Sequence, residues 1–172
     1  MNVNESDYNT LVGTIGVLCG MVLFILISMS IGQLAGIPNV SKLYLINLIP
    51  KSLISLAGMF LLIVWSPIFL AGIYTLGHRG VVGMSGHLVN YGIYRYVRNP
   101  MYSSLFFIIL GLAFVTNSTG ILIAGLIWAI VSVFECEREI KGLEKRFGKD
   151  YKDYEKNTPL FIPHFIKMLT RQ

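Results

Sequence analysis

Two short polar clusters in an otherwise apolar chain carry the residue types that chemistry needs. Arg98-Asn99-Pro100 has the pattern of a helix start, since Asn is a favoured N-cap and Pro suits the first helical position. A helix N-terminus presents unpaired N–H groups and the positive end of its dipole. With the full charge of Arg98 beside it, this arrangement suits a carboxylate or a phosphate. The tripeptide also reads as a plain helix start with an arginine at a membrane surface. Glu135, Glu137, Arg138 and Glu139 form the second cluster. Glu135 and Glu139 share one stripe at i, i+4 with Arg138 beside them. From there a carboxylate can accept a proton or orient an amine. An Arg98–Glu139 ion pair that only pins two helices together is the competing account.

Most of the remaining polar sequence is the loop 77–101, with five glycines, two histidines, three arginines and three tyrosines. It has no GxGxxG after a strand, no Walker lysine and no room for a βαβ unit. Its histidines stand nine residues apart without a cysteine or carboxylate at ligand spacing, so no metal site is expected. Tyr91, Tyr94, Tyr96 and Tyr102 read either as an aromatic belt at an interface or as a cage around a cation.

The elements that position these clusters are membrane helices. Of 172 residues, 54% are hydrophobic and 13% charged, about half the charge of a soluble domain. Of the 23 charged residues, 14 fall in the 22-residue stretch Glu135–Lys156, and residues 8–41 carry none. This excludes a soluble enzyme, a disulfide-stapled secreted domain and a disordered tail. Cys19 and Cys136 suit neither a disulfide nor a metal. The acidic flank Glu5 and Asp7 argues against a signal peptide, and the net charge of +5 is assigned to basic loops at a membrane rather than to nucleic-acid binding.

Four apolar stretches are expected to cross the bilayer, at about 20 residues per crossing. They are Leu11–Leu34, Ser52–Leu76 with Pro67 inside it, Tyr102–Val115 and Ile121–Phe134. The last two are joined by Thr116–Gly120 as a tight helical hairpin. Four crossings put both termini and the loop 77–101 on one side, with twelve basic residues against Lys42 and Lys51 on the other, so that side is expected to be cytoplasmic. Ile140, Leu143, Phe147, Tyr151 and Tyr154 recur at helical steps, predicting an amphipathic helix ended by Pro159. Phe161, Ile162, Phe165 and Ile166 follow as candidates to dip into the interface. The expected fold is therefore an all-α integral membrane domain over 1–172. It has four transmembrane helices (1–76 and the hairpin 102–134), a C-terminal cytoplasmic segment 135–172, and a loop between the helix pairs.

The run His87-Leu88-Val89-x-x-Gly92-x-Tyr94-x-x-x-Arg98-Asn99-Pro100-x-Tyr102 is followed by the hairpin. Glu139-x-x-x-Leu143-x-x-x-Phe147-Gly148-x-x-Tyr151-x-x-Tyr154 comes after it. Together these resemble the isoprenylcysteine carboxyl methyltransferase and phospholipid methyltransferase superfamily over about residues 84–163. The resemblance implies an S-adenosylmethionine-dependent membrane enzyme acting on a lipid or amphiphile. It places the cofactor against Gly86, His87, Leu88, Val89, Tyr94, Asn99, Pro100, Met101, Tyr102 and Glu139, with Arg98, Glu135 and Glu139 as the residues nearest the chemistry. Where the family often has His-Pro, this chain has Asn99-Pro100. Where the isoprenylcysteine enzymes carry an arginine for the substrate carboxylate, it has Glu135, which favours an amine or cationic head group, although Arg138 is near enough to substitute. A prenylcysteine carboxyl O-methyltransferase, an NADPH-dependent membrane reductase and a non-enzymatic lipid-binding or assembly factor are the alternatives.

Overall fold

The computed structural model describes residues 23, 26–28, 30–40, 48–81 and 87–162, and every regular element among them is helical. Helix α1 runs Lys51–Val81, a 3-10 turn covers Gly92–Arg95, α2 runs Pro100–Val115 and α3 runs Thr119–Asn157. The expected first crossing, Leu11–Leu34, lies largely outside the described residues, although its last positions, 30–34, are helical.

Helix α1 passes through Pro67 and breaks at Gly77 (φ 62°, ψ 178°), a left-handed conformation that glycine reaches without a Cβ penalty. The apolar span ends there as expected. Helical backbone then resumes to Val81, so the expected loop 77–101 begins as helix. At the other end, Pro100 opens α2, where its fixed φ and missing N–H cost nothing.

The hairpin turn forms where the polar run 116–120 predicts it. Asn117 takes φ 53°, a left-handed position that Asn tolerates. The Ser118 hydroxyl caps α3 by accepting from the Ile121 N–H at 3.4 Å. The Thr119 hydroxyl donates to the Pro38 carbonyl, and the buried Val40 donates its N–H to the Asn117 carbonyl at 3.4 Å. The end of the N-terminal segment is thereby seated on the hairpin.

Helix α2 lies between α1 and α3, and the core is formed by Phe69, Leu105, Ile109, Ala113 and Ile121. Trp65 stacks on Phe107 with centroids 4.2 Å apart. Helices α1 and α2 approach closely at Gly58 and Gly111. A Cβ on Gly111 would stand 2.9 Å from the Gly58 carbonyl oxygen, and such small-residue crossings let backbones meet inside a membrane.

The outward faces stay apolar: Phe60 is 65% exposed and Ile63 73%. Residues Lys51–Gly77 of α1 and helix α3 are each long and apolar enough to cross a membrane, and hydrocarbon removes the penalty that such faces would meet in water. Helix α2 is apolar but only 16 residues long.

The charged C-terminal segment is divided by a kink: up to Phe147 it continues the hairpin arm, and from Lys149 it forms a second helical stretch. Helix α3 runs from the hairpin arm straight into it and bends at Gly148 (φ 51°, ψ −114°). The predicted stripe Ile140, Leu143, Phe147, Tyr151 and Tyr154 is the less exposed face. Tyr151 is buried, and the Tyr154 hydroxyl donates to the Tyr94 carbonyl at 2.6 Å. Those two tyrosines are thus taken up by the loop. Ile162 is exposed; Phe165 and Ile166 lie outside the described residues.

Gly111→Ala is expected to destabilise the fold by about 1–3 kcal/mol through overpacking. Gly142→Ala, on a helical surface with nothing within 4 Å of the new methyl, should stabilise it by about 0.5–1 kcal/mol. Thermal unfolding in detergent reads both.

Candidate active site

The start of α2 is held by tertiary contacts rather than by its own cap. Asn99 occupies the expected N-cap position with φ −125°, ψ 66°, but its side chain makes no capping bond. Its Nδ2 instead donates to the Cys136 Sγ at 3.1 Å. Burial and the charge of Glu139 push that thiol up to about 12, so it remains a neutral thiol. The backbone N–H groups of Arg98 and Asn99 donate to the carbonyls of Pro159 (2.8 Å) and Leu160 (3.0 Å). The segment after α3 therefore runs alongside residues 98–99.

Arg98 does not pair with Glu139. Its Nη1 donates to Glu155 Oε1 at 2.6 Å and to the Tyr151 hydroxyl at 3.2 Å, with the arginine side chain 13% exposed and the glutamate 36%. Desolvation alone would lower the guanidinium, but the hydrogen bonds and charges of Tyr151 and Glu155 outweigh it and hold Arg98 above its ordinary value. Among the described residues its buried Nε has no partner.

Around this clamp lies a cavity of about 220 Å³. Of the expected cofactor residues, His87, Val89, Tyr94, Asn99 and Glu139 line it, and Arg98 lines it too. Leu88 faces a second, larger cavity of about 750 Å³, and Tyr154 borders both. Pro100 and Met101 pack against α1 at Gly72. Tyr102 stacks on Trp128, centroids 6.2 Å apart, and lies within electrostatic range of Glu139. Gly86 lies outside the described residues. Tyr94 is buried, with its hydroxyl pushed well up by desolvation first and by Glu139 second. Tyr91 is exposed, so the four tyrosines do not share one cage.

Glu139 retains solvent access as a residue, yet the surrounding packing desolvates its carboxyl and raises it above the ordinary carboxylate range. Glu135 stands apart, exposed and paired with Arg138 at 3.0 Å. Residues that the sequence pattern did not single out for the site are Cys136 and Glu155, together with Leu76, Gly142 and Arg146 of the cavity wall. Tyr151 and Tyr154 were visible in an apolar stripe and in the second family-like motif, without a role in the site.

Glu155→Ala should cost about 1–3 kcal/mol, the worth of a hydrogen bond to a charged group. Glu135→Ala, which breaks only an exposed pair, should cost under about 1 kcal/mol; denaturant titration compares them. Because the folded carboxyl of Glu139 is raised, its stabilising contribution is present at low pH and lost as pH rises through the raised value. Glu139→Gln should therefore raise the melting temperature at neutral pH, and the gain should disappear below the ordinary carboxylate range.

Comparison with curated proteins finds no match, and comparison with solved structures finds none. The family model for phospholipid methyltransferases matches residues 53–150, a stretch that contains all but the first two residues of α1, the Arg98-Asn99-Pro100 helix start, the hairpin and Glu139. That is more than half of the chain, and the protein belongs to the phospholipid methyltransferase family.

Proposed function

We propose that this membrane methyltransferase takes its methyl group from S-adenosylmethionine and delivers it to an amphiphilic, lipid-like acceptor by in-line displacement. In this reading four helices cross the bilayer, with both termini and the site on the cytoplasmic side. The observation that carries the reading is the convergence of two distant sequence motifs on one cavity, with His87, Val89, Tyr94 and Asn99 from one and Glu139 from the other.

The residues present suit the cofactor. Arg98 offers a buried Nε–H without a partner among the described residues, as a methionyl carboxylate requires, and the first N–H groups of α2 have no acceptor within the helix. Glu139 is a carboxylate in want of a donor, which a cofactor hydroxyl or ammonium provides. The cavity of about 220 Å³ is small against the roughly 300–1,000 Å³ usual for such ligands, and the adjoining cavity of about 750 Å³ supplies the remaining room.

When bound, S-adenosylmethionine supplies a methyl group already activated on a sulfonium. The protein's part is alignment and exclusion of water. Val89, Ile140 and Leu143 give apolar walls, while Arg98, Tyr94 and Asn99 fix orientation. Pro100, Met101 and Tyr102 hold the helix start in place. Glu135 is the proposed contact for an amine or cationic head group, taking up the proton that an amine loses on methylation, with Arg138 as the partner to be displaced. The acceptor enters sideways from the bilayer, between helices.

Calorimetry on the purified protein tests this. S-adenosylmethionine and its demethylated product should both bind, and Glu139→Ala and Tyr102→Ala should weaken binding. For Glu139 the loss should be about tenfold or more, as for a charged hydrogen bond. Excess NADPH should not compete. Folded wild-type protein that gives no heat with either ligand would end the proposal. Lipid extracts incubated with labelled cofactor then identify the acceptor by mass spectrometry.

A further inference from the structure

The outward face of the C-terminal part of α3 takes no part in the site. Lys141, Lys145, Lys149, Lys152 and Lys156 follow one another at steps of four, four, three and four, a row at helical spacing on either side of the bend at Gly148. All five are exposed. The acidic residues of the same stretch are mostly directed elsewhere. Glu155 holds Arg98, and Asp150 and Asp153 line the larger cavity beside Tyr154. Among the described residues only Lys156 of the five forms an ion pair, with Asp153 at 3.7 Å. The bend at Gly148 shapes the middle of the stripe into an open groove of about 570 Å³, lined by Lys141, Glu144, Lys145, Gly148, Lys149 and Lys152. Nothing lies within 4 Å of where a Gly148 Cβ would be. Four ammonium groups and one carboxylate around an open concavity favour an anion.

We propose that this groove is a docking surface for the phosphate head group of an anionic phospholipid in the surrounding bilayer. The proposal rests on the reading of α3 as a crossing helix, because that continuity sets the depth of the groove. A crossing takes about 20 residues, so one that starts at Thr119 reaches the surface near Glu139. Lys141 and Lys145 then follow within about 3–9 Å of helical rise, the depth of the head groups. Lys149, about 15 Å of rise beyond Glu139 at the bend, is reached because the head groups themselves occupy about 5–8 Å and their field extends about 8–10 Å further. A soluble phosphate would gain nothing from this tether. The contact is distinct from the proposed cofactor cavity, since the groove shares none of its lining with the cavity that holds Glu139.

Native mass spectrometry on the full chain in detergent, with no cofactor present, tests the proposal apart from methyl transfer. Phosphatidylglycerol should bind about tenfold more tightly than phosphatidylcholine, with the preference falling as salt rises. Substituting all four lysines at once (K141Q, K145Q, K149Q and K152Q) should abolish the preference while the helical circular dichroism is kept, and excess inorganic phosphate should leave the lipid bound. Should the fourfold variant not fold, K149Q with K152Q is read in the same way, with a loss of about threefold expected. A lysine variant that retains the preference overturns the proposal. So does displacement by inorganic phosphate, which would make the groove a site for a soluble anion.

Discussion

A guanidinium held away from water must be answered by other groups, and the answer given to Arg98 arranges most of the site. Burial works against its charge, while Tyr151 and Glu155 restore it. Both lie beyond the bend at Gly148. The helix that leaves the hairpin therefore cannot continue straight. It turns back, lays Tyr151 and Tyr154 on the loop, and continues into Pro159 and Leu160, whose carbonyls take the N–H groups of Arg98 and Asn99. The cavity is the space left between that returning segment and the start of α2. Removal of the partner of a poorly solvated charge costs more than the bond itself, so the clamp and the cavity stand or fall together.

The clamp works only because the start of α2 is already fixed. Close contact at Gly58 and Gly111 sets the distance between α1 and α2, and Gly72 gives Pro100 and Met101 a surface to pack on. On the other side Asn99 is tied to Cys136 near the charged end of α3. A tight turn at 116–120 makes the beginning of α2 and the exit of α3 neighbours by geometry alone. Apolar packing between helices thus decides where the polar groups meet. That is the expected order of events where the surrounding lipid offers no hydrophobic drive and close packing sets the helix arrangement.

What the sequence discloses here is what short-range rules govern. The helix start at Pro100, the polar turn at 116–120 and the stripe from Ile140 to Tyr154 depend on neighbours within a few residues, and the structure has all three. The partner of Arg98 is of a different kind. Glu139 is the nearest carboxylate by pattern, but Glu155 wins because Gly148 redirects the chain, and a single glycine inside a charged helix gives no hint of which way it bends. Cys136 appears isolated among glutamates until Asn99 declines to cap its own helix. Pro100, Met101 and Tyr102, expected at the cofactor by resemblance, sit in the packing between helices. Their spacing is fixed as strictly by that packing as it would be by a ligand.

The two ionisable groups that the motifs bring to the cavity are left in opposite conditions. Arg98 has its charge matched, and among the described residues its Nε–H meets no acceptor. Glu139 carries a carboxyl that desolvation raises above its ordinary value. A ligand bearing only an anion would serve the first and repel the second, and a simple cation would do the reverse. On the proposed reading, the amino-acid end of the donor, with its carboxylate and ammonium on one carbon, would meet both at once, ahead of any contact with adenine or sulfonium. This is the physical sense in which a methionine-derived donor suits the site.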